Sequence, residues 1–285
     1  MRPGLILKLS SPDSPGIVAK IASYVASHSG NLTEFSQFSD QIGKKFFARL
    51  EIDTSGLDVT VEDFKTGFGT LGRSLGANWH FRELPYKMRT AVLVTKTDHC
   101  LNEILLRTEL GELPIEITSI IANRDSCAPI AARSHLPFHH IEMDGEQREK
   151  GFAEIRDLIL AQDVELIVLA RFMQILPDSF CQEFSGRIIN IHHSFLPAFI
   201  GANPYRQAHD RGVKLIGATC HYVTADLDAG PIIEQEVERV SHFHSPTDLA
   251  RLGRHCERAA LAKGIRYHVH DRTIIDGHRA IVFPD

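Results

Sequence analysis

The sequence predicts an α/β protein with two domains, and three observations support this. Strands and helices before residue 84 follow the order β-α-β-β-α-β, which is typical of a ferredoxin-like fold. From residue 90 onwards, short apolar strands alternate with helices, which indicates an open, mostly parallel sheet with helices on both faces. Residues 84–89 (Leu-Pro-Tyr-Lys-Met-Arg) interrupt both patterns. We therefore predict a first domain at residues 1–84, a linker at 85–89 and a second domain at 90–285.

The elements of the first domain follow from periodicity and turn signals. A dense turn signal at residues 11–16 separates an alternating strand from a segment with helical spacing. Gly30 is placed to end that helix, and Gly43 lies in the turn of a hairpin. Three glycines weaken the second helix without abolishing its pattern. The predicted strands span 5–10, 32–39, 45–53 and 78–82, and the predicted helices span 17–29 and 61–75.

The second domain begins where apolar runs start to alternate with amphipathic segments. Its last helix is the most clearly marked, with Ser245 as N-cap, Pro246 at the first position and Asp248 at the third. We expect that helix to stop at Gly264. The predicted strands span 90–95, 115–122, 164–170, 187–191 and 215–223, and the predicted helices span 101–110, 128–134, 151–161 and 246–263.

Composition excludes several classes of function. The 285 residues carry a formal net charge of −5 with scattered cations, which argues against binding of a nucleic-acid backbone. Five widely spaced cysteines without a C-x-x-C pair predict neither a zinc site nor a disulfide framework. The N-terminus has no long apolar region, so we expect no signal peptide, no membrane span and a cytoplasmic location.

Polar groups suited to acyl chemistry are concentrated after two predicted strands. Asn190, His192 and His193 lie where a buried apolar strand ends, and the loop continues to Gly201. Asp228 lies in the acidic turn after the next strand. Because ligands of open α/β sheets bind at strand ends, we expect the amide, the imidazole and the carboxylate to meet there. An isolated Asn-x-His after a strand is more often structural, and Asp228 is what makes the group complete.

These motifs resemble the folate-dependent formyltransferase family. The resemblance rests on Asn-Ile-His at 190–192, Ser-Phe-Leu-Pro at 194–197 and Leu-Asp-Ala-Gly-Pro at 227–231, and it covers roughly residues 88–285. The sequence Leu-Ala-Arg-Phe-Met-Gln-Ile-Leu at 169–176 is similar to the family's pterin-binding segment. Residues 12–18 (Pro-Asp-Ser-Pro-Gly-Ile-Val) resemble an ACT regulatory domain.

The resemblance implies a hydrolase that acts on 10-formyltetrahydrofolate with water and releases formate, for purine biosynthesis among other uses, and tetrahydrofolate. The segment after the first strand of the second domain, residues 96–101, lacks the glycines with which a sister transferase holds its phosphorylated acceptor. If the acceptor site is lost while the residues that act on the formyl group are kept, water is left as the acceptor. Two alternatives stay open, namely formyl transfer to a small amine and a folate-binding sensor without catalysis.

The resemblance also implies roles for individual residues. Asn190 and His192 stabilise the oxyanion, and Asp228 positions the water. A role in lining or supporting the site is expected for Lys96, His99, His193 and His221, against simple packing. The expected folate contacts are Phe172, Met173, Gln174, Ile175, Leu176, Val223 and Thr224.

Covalent and metal catalysis are disfavoured by the pattern. Ser194 and Cys220 lack a motif that would activate a nucleophile. His242 and His244 do not have zinc-motif spacing relative to His192 or to each other. We therefore expect no cofactor and no metal.

The ACT resemblance implies a regulatory ligand and self-association. An amino-acid effector is expected near Asp13, Gly16 and Ile17 at the start of the first helix, with Asn31 close by. A homo-oligomer is expected because such modules commonly pair between subunits. No partner nucleic acid or membrane is predicted.

Overall fold

The computed structural model describes residues 3–196 and 204–284 and divides into two compact units. The first comprises Met1–Tyr86, Asp271–Ile274 and Ile281–Asp285, and the second comprises Lys87–His270 and Ile275–Ala280. The predicted second domain, residues 90–285, differs from the structure at its end, where residues 271–274 and 281–285 belong to the first unit.

Ion pairs explain why the end of the chain belongs to the first unit. The Asp271 carboxylate is buried and lies 2.8 Å from the Lys8 ammonium, and it also pairs with Arg82. Arg272 donates hydrogen bonds to both carboxylate oxygens of Glu34. No apolar periodicity marks such contacts, so the sequence pattern did not reveal them.

The first unit has the β-α-β-β-α-β order predicted for an ACT-like ferredoxin fold. Its sheet has the strand order β2-β3-β1-β4, with antiparallel pairing throughout. Leu7, Leu9, Ile21 and Phe68 pack between the sheet and the helices. The elements are β1 (Gly4–Pro12), α1 (Ile17–Ser27), β2 (Asn31–Asp40), β3 (Lys45–Asp53), α2 (Val61–Ser74) and β4 (Asn78–Leu84).

Helix α1 ends differently from the prediction. The helix stops at Ser27, and Ser29 rather than Gly30 takes the left-handed conformation, with φ 60°. Helix α2 forms as predicted despite its glycines, because the Thr60 hydroxyl accepts a hydrogen bond from the Asp63 amide at its N-terminus.

The second unit is built on a seven-stranded sheet with the order β11-β10-β9-β8-β5-β6-β7. Strands β5 to β9 pair in parallel, and β10 and β11 extend the sheet antiparallel, so the predicted fold class is confirmed. The elements are β5 (Met88–Val94), α3 (His99–Glu109), β6 (Ile115–Ala122), α4 (Ala128–Arg133), β7 (Phe138–His140), α5 (Gln147–Ala161), β8 (Leu166–Leu169), α6 (Asp178–Glu183), β9 (Ile188–His192), α7 (Pro204–Asp210), β10 (Leu215–Tyr222), β11 (Ile232–Arg239) and α8 (Pro246–Val269). The last two strands, β12 (Thr273–Asp276) and β13 (Arg279–Val282), pair in a separate two-stranded sheet, and each has residues in both units.

Helix α8 is longer than predicted. It begins with the expected capping box of Ser245 and Asp248 but continues past Gly264 to Val269. A Cβ at Gly264 would lie 2.2 Å from the Cys220 sulfur, so this glycine allows α8 to approach β10 rather than ending the helix. Gly264 therefore marks the close packing of α8 against β10, and the prediction that it ends the helix is wrong.

The strand order reverses between β5 and β8, and a crevice is lined by residues at the ends of β8, β9 and β10. β5 pairs with β6 on one side and with β8 on the other, so the connections run in opposite senses from this point. The apolar layer beneath the crevice includes Leu93, Ile167 and Phe172. Over the part of the chain that is described, none of the helices has the length and apolar character needed to cross a membrane.

Candidate functional site

Strands β9 and β10 bring the predicted catalytic residues together. The two strands are antiparallel, and His221 lies opposite Asn190 in their register. Asp228 follows in the turn after β10, where it lies beside both histidines of the strand ends. The amide, the imidazole and the carboxylate thus meet at one place in the structure.

The His192–Asp228 pair is the centre of this group. Asp228 Oδ2 lies 3.2 Å from His192 Nδ1, and the Asp228 side chain is about four-fifths buried at 19% exposure. The hydrogen bond from His192 is the main reason that the pKa of the Asp228 carboxyl is lowered, against the opposing effect of burial. Asp228 is therefore ionised at neutral pH, and it holds His192 with Nδ1–H directed to the carboxylate.

The turn that carries Asp228 has a required geometry. Asp228 has φ 54°, a left-handed conformation that Asp and Asn tolerate better than most residues. Gly230, two residues later, lies so close to Tyr222 that a Cβ there would be 1.8 Å from its carbonyl oxygen. The Asp-Ala-Gly sequence thus serves to place the carboxylate against His192.

His221 fixes the orientation of Asn190. His221 Nδ1 donates to the Tyr222 carbonyl at 2.8 Å, which leaves Nε2 to accept from Asn190 Nδ2 at 3.1 Å. Burial lowers the pKa of His221, so this arrangement of a neutral ring is the stable one. One amide proton of Asn190 is used in this contact, and the amide group has a second proton that can donate to another group.

One atom of His192 has no hydrogen-bond partner within the described ranges. His192 Nε2 is buried and makes no hydrogen bond to any described residue, while Nδ1 binds Asp228. Buried polar atoms are rarely left in this state unless they meet a ligand or water. Nε2 is therefore the atom of His192 that is available for a reacting group.

His193 forms a neutral wall beside His192. The two rings stack with centroids 5.2 Å apart. Burial and the positive charge of Arg171 lower the pKa of His193 to about 4, so the ring is neutral at physiological pH. His193 lines the crevice on one side and a small cavity that also contacts Tyr205 on the other.

The predicted folate segment lines the same crevice, a cavity of about 300 Å³. Its backbone is anchored by Thr95, whose hydroxyl accepts from the Met173 amide at 2.9 Å and donates to Asn123 Oδ1 at 2.8 Å. Among the lining residues are all seven predicted folate contacts, Phe172, Met173, Gln174, Ile175, Leu176, Val223 and Thr224.

Thr95 and Asn123, which support the folate segment, are not predicted from the sequence. Both are buried polar residues that directly follow neighbouring parallel strands, β5 and β6. A polar residue immediately after an apolar parallel strand is the signal that could have found them, because such strands end at the same edge of the sheet.

Other predicted site residues are placed apart from the crevice. Lys96 is exposed and does not line it. His99 is the first residue of α3 and binds Glu257, with His99 Nε2 and Glu257 Oε2 2.7 Å apart. The motif residues 197–203, which include Gly201, lie outside the described residues.

The predicted effector residues are not brought together within one chain. Asp13 and Gly16 lie at the end of the first sheet where β1 runs into α1, and Ile17 is buried. Asn31 pairs with Asp53, which pairs in turn with Gly4 at the opposite end of β1. The expectation that Asn31 lies close to Asp13 is therefore wrong, because α1 spans the length of the sheet between them.

Two of the side chains considered for covalent and metal chemistry, Cys220 and His244, have surroundings of other kinds. Cys220 is buried and burial raises the pKa of its thiol, which works against a thiolate nucleophile. His244 Nδ1 accepts from the Ser241 amide instead of facing His192.

One group of three potential metal ligands occurs among the described residues. His99, Cys100 and Glu257 offer ligand atoms within 4.8 Å of one another. Burial raises the pKa of the Cys100 thiol well above its usual value, and the Arg171 Nε lies 3.5 Å from the Glu257 carboxylate. A thiol that stays protonated beside a guanidinium is a poor cation site. The absence of a resident metal stays a prediction.

The chain is similar to a known protein family and to several of its named members. The sequence model of the formyl transferase family matches residues 88–265. The formyltetrahydrofolate deformylase of Bacillus subtilis is 41% identical over 97% of this chain and 93% of its own length, and that of Synechocystis is 42% identical over 97% of both.

Solved structures of related proteins are also similar to this chain. A formyltetrahydrofolate deformylase from Pseudomonas syringae superposes with a TM-score of 0.96 at 41% identity, covering 99% of this chain and 95% of that one. Glycinamide ribonucleotide transformylase 1 from Symbiobacterium toebii matches with a TM-score of 0.66 at 31% identity, covering 73% of this chain and 98% of that one. The chain belongs to the formyltetrahydrofolate deformylase family, whose second domain is that of the formyl transferases.

Proposed function

We propose that this chain hydrolyses 10-formyltetrahydrofolate to formate and tetrahydrofolate. The observation that carries the proposal is that Asp228 holds His192 through Nδ1, while Nε2 has no hydrogen-bond partner among the residues that the structure describes. The names of the relatives at about 41% identity over nearly the whole chain support the same reaction. The product formate would be available to purine biosynthesis.

The oxyanion of the tetrahedral intermediate would bind to two donors. Asn190 has one amide proton left after its contact with His221, and His192 Nε2–H becomes a donor when the ring is protonated. Both residues line the crevice. Each preorganised donor of this kind typically contributes about 10²- to 10³-fold in rate.

Asp228 would orient the attacking water and carry its proton. Oδ2 is engaged by His192, and Oδ1 lies 3.7 Å from His221 Nε2, which has its hydrogen bond from Asn190. The bond between the water oxygen and the formyl carbon forms, and one water proton passes by way of Asp228 to N10. The bond between the formyl carbon and N10 then breaks, which releases tetrahydrofolate and formic acid, and the acid ionises to formate. No covalent intermediate and no redox step is needed.

The folate segment would bind the pterin through its backbone and apolar side chains. The Met173 amide is already bonded to Thr95, and the Ile175 carbonyl accepts from Arg148 Nη2 at 2.5 Å. The pterin would therefore be bound by the remaining backbone groups of this segment. Phe172 and Val223 would supply apolar walls, the usual lining of such pockets.

The first unit is proposed to be a regulatory module that binds an amino acid at the turn from Asp13 to Ile17 and associates with a second copy of the chain. The start of α1 has no side-chain cap, which leaves backbone N–H groups at Gly16 and beyond for a carboxylate. Calorimetry with glycine and methionine tests this, and no heat at millimolar ligand would contradict it.

Formate release in plain buffer tests the hydrolysis directly. The native chain should release formate from 10-formyltetrahydrofolate without any amine, and Asp228→Asn should lower kcat by about 10²- to 10⁴-fold, as is typical for loss of an acid–base group. Asn tolerates the left-handed backbone at this position, so the fold should persist. Asp226→Asn, in the exposed part of the same turn, is the matched control and should retain activity.

The outcomes separate the competing functions. Formyl transfer that appears only when an amine is added would make the protein a transferase. Folate binding without hydrolysis or formyl transfer would indicate a folate-binding sensor. An Asp228→Asn variant with native kcat would remove Asp228 from the mechanism.

A further inference from the structure

The turn that follows His192 is bound by side chains of two neighbouring strands, and these side chains have no part in the proposed mechanism. Strand β9 pairs with β10 as far as His192, which lies opposite Thr219. The parallel pairing of β9 with β8 ends earlier, at Asn190. The chain therefore leaves both strand ladders directly after the imidazole that is proposed to react.

Thr219 extends the support of this turn with its side chain. Its hydroxyl donates a hydrogen bond to the Ser194 carbonyl at 3.0 Å and accepts one from the Leu196 amide at 3.1 Å. It accepts another from Gln235 Nε2 at 3.1 Å. A threonine hydroxyl has one proton and two lone pairs, so these three hydrogen bonds use its whole capacity. Residues 194–196 are thus tied to β10 by one buried side chain.

Gln235 lies on the edge strand β11 and completes this contact. It is the partner of Thr219 in the register of β10 and β11, so Gln235, Thr219 and His192 form one row across three strands. Residues directly opposite each other in antiparallel strands project from the same face of the sheet. Gln235 Nε2 also donates to the Leu196 carbonyl at 3.2 Å, so its two protons bind Thr219 and the turn itself. We call Gln235 and Thr219, with the backbone of 194–196 that they bind, the β11 clasp.

Burial makes the hydrogen bonds of the β11 clasp costly to lose. Thr219 is fully buried, and Ser194 and Leu196 are 4% and 6% exposed. Because a buried carbonyl or amide that loses its partner is not easily reached by water, the backbone has to move to satisfy it. The residues directly before this turn are His192 and His193, whose rings stack with centroids 5.2 Å apart. A shift of the turn would therefore displace the ring that is proposed to react.

The two side chains of the β11 clasp lie outside the substrate crevice. Neither Thr219 nor Gln235 is among the described residues that line it. The folate segment has its own anchor, the hydrogen bond from the Met173 amide to the Thr95 hydroxyl. Loss of the clasp should therefore change the placement of His192 without changing how folate is bound.

We propose that Gln235 is a positioning residue for the hydrolysis, which acts through Thr219 and the turn at 194–196 to hold His192 Nε2 where it meets the formyl oxygen. The proposal rests on the proposed function for its effect on turnover. The placement of the His192 ring can be measured separately, without activity.

The first experiment compares kcat and KM for formate release. Gln235→Met keeps the length of the side chain and removes both protons, so kcat should fall about 10- to 100-fold, as expected when a reacting group is slightly misplaced. KM should stay at its native value, because the contacts with folate are kept. Glu238→Met, at an exposed position of the same strand, is the matched control and should keep native kcat.

A double-mutant cycle tests the path through Thr219. Thr219→Val removes the hydroxyl and keeps the shape of the side chain, so kcat should fall at least as far as in Gln235→Met. The double variant should lose less than the product of the two separate losses, because both residues support the same turn. Thr219→Ser, which keeps the hydroxyl, should recover most of the native kcat. Losses that multiply, or a kcat in Thr219→Ser as low as in Thr219→Val, would contradict this path.

The second experiment follows the His192 ring by proton NMR. The proton between His192 Nδ1 and Asp228 should give a strongly downfield resonance, which is assigned by its absence in His192→Ala. It should exchange with water faster in Gln235→Met than in the native chain, and Glu238→Met should leave it unchanged.

Native kcat in a folded Gln235→Met overturns the proposal, and so does a fall in kcat that leaves this resonance unchanged. If Gln235→Met fails to fold, Gln235→Asn, whose amide is too short to reach the turn, takes its place with the same criteria. A native chain that releases no formate would instead contradict the proposed function, and the response of the His192 resonance to Gln235→Met would then decide the positioning role by itself.

Discussion

Buried charges are treated differently in the two units of this protein. In the first unit, Arg49 is fully buried, and its guanidinium donates to Glu34 at 2.9 Å and to Glu51 at 2.5 Å. In the second unit, His192 Nε2 and two nitrogens of Arg171 are buried and have no hydrogen bond to any residue that the structure describes.

The difference separates groups that hold the fold from groups that meet a ligand. A buried charge whose hydrogen bonds are made within the protein is costly to disturb, because removal of one partner strands the other. A buried donor without a partner lowers stability and persists where a bound group completes it. Changes in the first unit should therefore alter stability, and changes at the crevice should alter turnover.

Removal of His192 gives the largest expected effect. His192→Ala takes away the Nε2 donor and the partner of Asp228, so kcat for formate release should fall by about 10²- to 10³-fold or more. His209→Ala, on the exposed face of α7, is the matched control and should keep native kcat. Native turnover in His192→Ala would mean that the unpartnered nitrogen does not mark the reacting atom.

Removal of the Arg49 cation tests the expectation that changes in the first unit alter stability. Arg49→Met keeps most of the side-chain volume but leaves Glu34 and Glu51 without their shared partner, so the free energy of unfolding should fall by about 3 kcal/mol. Urea denaturation followed by circular dichroism measures this. kcat should be unchanged under conditions where the variant is folded.

An exposed ion pair supplies the control for Arg49. Arg156 pairs with Glu183 at 2.7 Å, and its side chain is 44% exposed. Arg156→Met should lower the free energy of unfolding by about 0 to 1 kcal/mol, because water solvates such pairs. Equal losses in Arg49→Met and Arg156→Met would show that burial does not set the value of these contacts.

The sequence was most informative where periodicity and family motifs coincide. The order of elements in the first domain, the alternation of strands and helices in the second, the Ser245 capping box and the convergence of Asn190, His192 and Asp228 were predicted. These features depend on local patterns or on strand ends, where topology constrains position.

The features that were not predicted depend on contacts between residues that are distant in sequence. The return of Asp271 to the first unit, the partnership of His99 with Glu257 and the role of Gly264 each rest on side chains separated by tens of residues or more. Short elements such as β7 and α6 have too few residues to show a period and were also missed. Periodicity reports which face of an element is buried, but not which partner lies opposite.

The smallest effect expected at the crevice concerns His193, whose ring stacks on that of His192. Unfolded His193 binds a proton below its ordinary pKa of 6.5, whereas the folded ring does so only near its lowered pKa of about 4. The unfolded state therefore binds more protons between these values, and stability falls as the pH drops through this window. His193→Phe, which keeps a ring beside His192, should reduce that fall by about 1 to 2 kcal/mol.

Thermal unfolding from pH 7 to pH 4 measures the effect as the difference between the slopes of Tm against pH. His242→Phe, at an exposed position, is the matched control and should leave the slope unchanged. A slope that His193→Phe does not alter would mean that a proton enters the folded crevice as readily as the unfolded chain. In that case the His193 ring would become charged in mildly acidic solution and would not be a neutral wall of the crevice.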